Sequence, residues 1–161
     1  MKVAYKHLIS CIPSKPSIDE ISERFFQLGH EHEIEDEIFN MELTPNRGDC
    51  LSVHGLVRDL APFYEIDSTS DIYEKELKKL DLGFANHAPE ACSHISFLKL
   101  EIEGEIAPYS GKLKEYFKDL NINKNNFFTD ISNYISYEMG QPTHCYNAKK
   151  IGNLFSLEII E

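Results

Sequence analysis

One segment near the start of the sequence predicts a helix together with both of its ends. Pro13 and Pro16 stop any earlier helix, because proline lacks the backbone N–H that a helix interior needs. The run Ser17–Glu20 has the spacing of a capping box, with a serine at the N-cap and a glutamate three residues later. Apolar residues follow with helical period, and Gly29 is a suitable residue just past the C-terminus. The sequence therefore predicts a helix over residues 17–28.

The rest of the first sixty-five residues supplies partners for this helix. A short helical pattern spans residues 3–12, and the apolar residues among the acids of 34–43 indicate one or two strands. A loop over 44–49 leads to a further helix, which Asp49 could cap and which Pro62 should kink or end early. One small core is expected, formed by Ile18, Ile21, Phe25, Leu56, Val57 and Leu60.

The second half of the chain has its own periodic segments. An amphipathic helix is predicted to begin near Ser110, and a helix over 126–139 ends before Gly140. Alternating apolar residues predict a strand over 95–102, with a change of phase that indicates a bulge near Phe97. A last strand is predicted over 154–160.

These segments indicate an α+β fold in two small units. The predicted domains are an N-terminal helix and strand domain over residues 1–65 and a second domain over 91–161. Residues 66–90 have weak periodicity and several small polar residues, so they are predicted to be a linker.

The charge, the cysteines and the lack of a long apolar run argue against some classes of protein. The chain has 27 acidic against 16 basic side chains and a net charge of −11, which disfavours a free-standing nucleic-acid binder. Most of the excess lies within residues 17–44, either as a solvated face or as a surface that repels RNA or attracts a basic partner. The four cysteines are scattered without a CxxC pair, as expected for reduced thiols in the cytoplasm, and no apolar run is long enough to cross a membrane.

Two histidine arrangements can be read as either chemical or structural. His30 and His32 form an HxH pair, but no third ligand lies at metal-site spacing, so a surface turn is preferred and no metal site is predicted. Cys145 follows His144, yet adjacent residues in a strand point to opposite faces and rarely form a nucleophile and base pair.

The densest polar stretch runs from Asp130 to His144. It contains the Ser132-Asn133 pair on the predicted helix, then a Gly-Gln-Pro turn and the histidine. One interpretation is hydrogen bonding at a helix end, with a structural histidine. The other is a pocket of neutral donors and acceptors beside one titratable group, suited to orienting a water or a small polar ligand.

Two long motifs resemble one family. Residues 42–59 read ELTPNRGDCLSVHGLVRD and resemble the "TPNRxDCLSxxGxARE"-type signature of bacterial phenylalanyl-tRNA synthetase β subunits. Residues 130–147 read DISNYISYEMGQPTHCYN and resemble the "DVTNYVxxELGQPxHAFD" segment of the same family. The motifs occur in the family's order, and the N-terminal helices also resemble the start of that subunit.

The resemblance implies a role in charging and editing. The second unit would be the N-terminal half of a B3/B4 editing domain, where Ser132 and Asn133 match the family's Thr-Asn pair and His144 matches its GQPxH histidine. The synthetic site belongs to the α subunit, the expected partner, and ATP and magnesium serve the whole synthetase. No cofactor is expected in this chain itself. Editing is needed because an apolar pocket rejects an added hydroxyl by only about 100-fold.

Departures from the family pattern limit what is expected of the isolated chain. Residues 30–44 leave no room for the OB-fold that usually binds tRNA, and Asn123 stands where the family often has an arginine. We therefore expect weak binding of tRNA(Phe) and no activity of the isolated chain. We also expect self-association through apolar surface, no membrane contact and a cytoplasmic location. The alternatives are a stand-alone aminoacyl-tRNA deacylase and a non-catalytic interaction module of the same fold.

Overall fold

The computed structural model describes residues 1–66, 79–152 and 154–160. Five α-helices and five strands lie in this described part, so the predicted α+β class is confirmed. The chain divides into two compact units, each built from two separate segments. Among the described residues, unit 1 comprises 1–66 and 107–144, and unit 2 comprises 79–106 and 145–160.

A three-stranded antiparallel sheet forms one layer of unit 1. Strands β1 (Lys2–Ala4), β2 (Glu31–Glu35) and β3 (Ile38–Glu42) lie in the order β1-β3-β2. The sequence predicted one or two strands in 34–43, and the structure has two, β2 and β3. The helical reading of residues 3–12 is wrong at its start, because Val3 pairs with Phe39 in the sheet. Helix α1 (Tyr5–Ser10) begins only after β1 ends.

Helix α2 (Ile18–Gln27) confirms the helix predicted over 17–28. The Ser17 side chain accepts a hydrogen bond from the backbone N–H of Glu20 at 3.3 Å. At the other end Gly29 has a φ of +79°. Its N–H and that of His30 return to the carbonyls of Phe26 and Phe25, at 3.0 and 2.8 Å. This is a Schellman motif, and it turns the chain sharply into β2.

The loop between the sheet and helix α3 (Val53–Tyr64) contains a 3-10 turn over Gly48–Cys50. Ser52, rather than the predicted Asp49, caps α3 by accepting from the N–H of Gly55 at 2.9 Å. Asp49 instead lies in the turn, where its carboxylate faces two arginines. The helix continues through Pro62 for two residues and stops where Glu65 has a left-handed φ of 51°.

The predicted small core is confirmed. All six of its apolar residues belong to one buried cluster that the helices share with the sheet, with Ile18 partly buried at its edge. Phe25 lies at its centre, edge-on to Phe39 with ring centroids 5.4 Å apart. Burying apolar surface on both layers is the main favourable term that holds them together.

Two later helices complete unit 1. Helices α4 (Gly111–Asp119) and α5 (Phe127–Met139) confirm the amphipathic segments predicted near Ser110 and over 126–139. Tyr116 and Phe117 of α4 are buried with Ala4. The Tyr137 hydroxyl on α5 lies 2.7 Å from Nδ1 of His7 and 3.4 Å from the backbone N–H of Ala4. Residues 107–144 therefore pack onto the N-terminal segment.

Unit 2 is smaller and has one parallel strand pair. Strand β4 (Gly83–Asn86) pairs with β5 (Leu154–Leu157), a shorter strand than the one predicted over 154–160. The predicted strand over 95–102 is wrong, since these residues form neither helix nor strand. Leu98 and Leu100 are 79% and 71% exposed. Apolar alternation favours a strand only where a neighbouring strand supplies backbone partners.

The compact units differ from the predicted division at residues 65 and 91. The difference arises because α4 and α5 bury their apolar faces on the first segment, and because β4 lies within the predicted linker. The mixture of lysine and leucine over residues 74–82 of that linker could form a helical turn. Residues 67–78, which include most of it, lie outside the described residues. The predicted domains over 1–65 and 91–161 are units of the family's domain organisation, which compactness does not test, so these boundaries stay a prediction. No helix in the described part of the chain combines the length and apolar character that crossing a membrane requires.

Candidate functional site

The three predicted site residues lie on and after helix α5. Ser132 is half-buried, whereas Asn133 and His144 are exposed. Residues 141–147, which include the end of the Gly-Gln-Pro turn and His144, form neither helix nor strand. That these three side chains belong to one pocket stays a prediction.

Asp130, in the same polar stretch, has a structural role. Its side chain is buried and accepts hydrogen bonds from the Tyr109 hydroxyl at 2.7 Å and from the N–H of Asn125 at 3.0 Å. The bond to this carboxylate, with burial, raises the pKa of Tyr109 to about 12. Asp130 thus holds the loop before α5 in place.

The motif at 42–59 forms the most connected polar group of unit 1. We call it the Asp59 cluster, and it comprises His30, Arg47, Asp49, Cys50, Arg58 and Asp59. Arg47 Nε donates to Asp49 at 3.0 Å, and its Nη2 contacts the Asp59 carboxylate and the Cys50 sulfur. Arg58 Nη2 reaches both carboxylates as well. Two arginines and two aspartates therefore balance their charges in one place.

Electrostatics within the cluster follow from burial and charge. Burial acts to raise the pKa of Asp59, but hydrogen bonds from Arg47 and His30 outweigh it and lower that pKa. Hydrogen bonds from Arg47 hold the pKa of Asp49 well below its ordinary value. Burial and the Asp59 carboxylate raise the pKa of the Cys50 thiol to about 12. A thiol in this state is a poor nucleophile, so the cluster is suited to holding the fold together rather than to covalent catalysis.

The surface-turn interpretation of the HxH pair is wrong. His30 is only 3% exposed, and its Nε2 lies 3.0 Å from the Asp59 carboxylate. His32 lies in β2, where its Nε2 is 2.8 Å from the Ser22 hydroxyl. The Schellman turn at Gly29 directs His30 into the interior. The alternating acidic residues of 31–35 give no sign of this burial.

Sequence reasoning recognised the motif but missed the cluster that it builds. The available signal was the distribution of arginine. The chain has only three arginines, and two of them lie in the motif. Arg47 is two residues before Asp49, and Arg58 is directly before Asp59. Folding α3 back over the 3-10 turn brings these pairs together.

A separate cavity of about 180 Å³ lies in unit 1 between α1, α4 and α5. Lys6 and Lys112 line it, but they pair with Glu115 at 3.3 Å and Glu138 at 2.7 Å. Burial lowers the pKa of His7, the imidazole at its edge, against the opposing effect of Asp119. Because the cations are matched by acids, this cavity has no excess charge with which to select an ionic ligand.

Replacing Asp59 with asparagine tests the structural role of the cluster. The change removes the charge that Arg47 and His30 share, so we expect a loss of about 2 kcal/mol in the free energy of unfolding. Urea denaturation in the presence of a chelator measures it. Asp36→Asn, the same change at an exposed turn residue, is the control and should be nearly neutral. Equal effects for both variants would contradict a stabilising role for the cluster.

Comparisons with a domain family and with curated proteins both relate this chain to phenylalanine–tRNA ligase β subunits. The B3/4 domain family matches residues 95–160. The phenylalanine–tRNA ligase β subunit of Rickettsia prowazekii is 33% identical over 73% of this chain and 15% of its own length. The β subunits of the Wolbachia endosymbiont of Brugia malayi and of Rhodopirellula baltica are each 30% identical. They align with 82% and 94% of this chain, and with 19% and 24% of their own lengths.

The chain thus spans under a quarter of the length of these curated relatives. No solved structure matches it. The similarity includes both the N-terminal segment with the Asp59 cluster and the B3/4 region, in agreement with the two motifs. This chain belongs to the family of phenylalanine–tRNA ligase β subunits.

Proposed function

We propose that this chain works as part of a phenylalanine–tRNA ligase β subunit, in the cytoplasm, and supports ATP-dependent charging of tRNA(Phe) by an α subunit. Similarity to the Rhodopirellula β subunit over 94% of the chain carries the proposal, because a match of that extent includes residues of both units. In this proposal ATP and magnesium act at the synthetic site of the α subunit, and translation is the process served.

The structure supports a scaffold role for unit 1. Its polar groups are paired with one another in the Asp59 cluster, and its cavity is lined by matched charges. With a net charge of −11, the chain has little capacity to neutralise phosphates, so tRNA should contact it only weakly. We propose that its principal partner is protein.

We further propose that Ser132, Asn133 and His144 contribute to hydrolytic editing of Tyr-tRNA(Phe). A serine hydroxyl and an asparagine amide can hydrogen-bond the tyrosine hydroxyl or a water, and an imidazole can orient that water for attack on the ester. Asn133 and His144 are exposed, so a closed pocket needs further protein around them. The isolated chain should therefore be inactive, since an open site lacks the dry, preorganised surroundings that catalysis needs.

A chimaera tests both the proposed scaffold role and the proposed contribution to editing. This chain replaces the corresponding part of a complete β subunit, and the product is co-expressed with the α subunit. We expect the two subunits to co-purify and to charge tRNA(Phe), whereas the isolated chain neither hydrolyses Tyr-tRNA(Phe) nor binds tRNA tightly at physiological salt. Failure to assemble with the α subunit would contradict the scaffold role.

Within that chimaera, His144→Ala separates editing from charging. We expect deacylation of Tyr-tRNA(Phe) to fall about 100-fold, with charging of phenylalanine nearly unchanged. His87→Ala, at another exposed histidine, is the matched control and should leave both activities intact. An equal loss of both activities in His144→Ala would make His144 a structural histidine.

A further inference from the structure

Three potential metal ligands converge inside the Asp59 cluster. His30 Nε2, Cys50 Sγ and a carboxylate oxygen of Asp59 all lie within 4.8 Å of one another. The nitrogen and the sulfur are 3.0 Å and 3.3 Å from the Asp59 oxygen. Ligands of a tetrahedral zinc ion stand about 3.5 Å apart, given zinc–ligand distances near 2.0–2.3 Å. We propose that His30, Cys50 and Asp59 form a zinc-binding site.

The ligand types favour zinc over other divalent cations. Magnesium and calcium prefer all-oxygen shells, whereas an imidazole, a thiolate and a carboxylate suit a borderline-soft ion. His30 and Cys50 are buried and Asp59 is nearly so. Three protein ligands leave a fourth tetrahedral position for water.

Each ligand comes from a different segment, and each is already held in place. The Schellman turn after α2 presents His30, the 3-10 turn presents Cys50, and α3 presents Asp59. Little chain ordering therefore remains to be done when an ion binds, which lowers the cost of binding. An ion here would join the turn after α2, the 3-10 turn and helix α3.

The site already attracts a positive charge. Nη2 of Arg47 lies 2.7 Å from the Cys50 sulfur and also contacts the Asp59 carboxylate. Zinc would displace the guanidinium from these two contacts. Arg47 would still have Asp49 as a partner, because its Nε and Nη2 donate to that carboxylate at 3.0 Å and 3.1 Å. The exchange therefore leaves the partly exposed Arg47 side chain with a counter-charge.

Binding requires a defined movement of protons. The Cys50 thiol proton leaves to solvent as the sulfur–zinc bond forms. His30 gives up the Nε2 proton that faces the Asp59 carboxylate and, by exchange with solvent, carries its ring proton on Nδ1, so that the Nε2 lone pair binds the ion. The carboxylate and thiolate together balance the two charges of the ion, and no oxidation or reduction is involved.

Metal titration of the chelator-treated full chain tests the proposal. We expect one equivalent of zinc to bind with micromolar or tighter affinity and to raise Tm. Cobalt, used as a spectroscopic substitute, should give a thiolate-to-cobalt charge-transfer band. A chain that binds no zinc in this range, or a cobalt complex without the thiolate band, would overturn the proposal.

Variants identify the ligands. Loss of partners that only orient a metal ligand already costs up to about 100-fold in affinity, so Cys50→Ser should cost at least that. His30→Gln keeps an N–H that can donate to Asp59 and should also weaken binding. Cys11→Ser, at a half-buried cysteine elsewhere, is the control and should bind like the unaltered chain. Undiminished binding by folded Cys50→Ser and His30→Gln would place the ion elsewhere and overturn the assignment.

Discussion

Gly55→Ala is expected to destabilise unit 1 by about 3 kcal/mol or more, although alanine is the better helix former. A Cβ built at this position of α3 lies 2.1 Å from the backbone carbonyl oxygen of Asp49 and 3.0 Å from the Cα of Cys50. Side chains can rotate away from such contacts, but backbone cannot. The 3-10 turn would have to move, and it is held by buried Cys50 and by the ion pairs of Arg47.

This variant isolates the close approach of two backbones. The N–H of residue 55 is retained, so the hydrogen bond to Ser52 that caps α3 can still form. Gly48→Ala is the matched control, because a Cβ there meets nothing within 4 Å. Urea denaturation of both variants measures the difference. A Gly55→Ala chain as stable as Gly48→Ala would show that the turn and the helix are not packed as described.

Phe25→Ala is expected to cost about 4 kcal/mol and to lower Tm by about 15 °C. Phe25 is fully buried at the centre of the core, with the rings of Phe39, His30 and His32 around it. Truncation removes apolar contact area and leaves a cavity that sheet and helices cannot both collapse to fill. The loss should also allow the His30 side chain more movement, since the ring centroids of Phe25 and His30 are 6.0 Å apart.

The neighbouring residue provides the control for this substitution. Phe26 is 59% exposed and has one close ring partner, His32, at 4.4 Å. Phe26→Ala should therefore cost about 1 kcal/mol or less. Calorimetric melting of both variants checks the contrast. Similar melting temperatures would mean that α2 presents a different face to the sheet.

Local chemistry explains which elements were predictable. The helix after Ser17 has its cap, its apolar stripe and its terminal glycine within a dozen residues, so neighbours in sequence determine it. The helix over 127–139 is equally self-contained, with Asn126 capping it and Gly140 ending it at a φ of 74°. The core followed directly, because the apolar stripes of two helices have to be buried together.

The failures occur where distant residues decide the outcome. Val3 is a strand residue because Phe39 lies beside it, and residues 95–102 alternate without gaining a strand partner. Asp49 was a plausible cap, yet two arginines compete successfully for its carboxylate. His30 is buried because the Schellman turn at Gly29, just after α2, directs its side chain toward Asp59. The resemblance points to Ser132, Asn133 and His144, but sequence neighbours do not fix how two residues of a helix meet a histidine beyond its end.

The two-segment construction of unit 1 has a consequence for synthesis on the ribosome. Residues 1–66 can form their sheet early, but helices α4 and α5 are complete only about 50 and about 70 residues later, a delay of several seconds at about 5–20 residues per second. During that interval Ala4 and the open side of α1 lack the aromatic residues that later cover them. A nascent chain paused between the two segments would therefore present an apolar surface to chaperones, and translation speed through residues 67–106 becomes a determinant of yield.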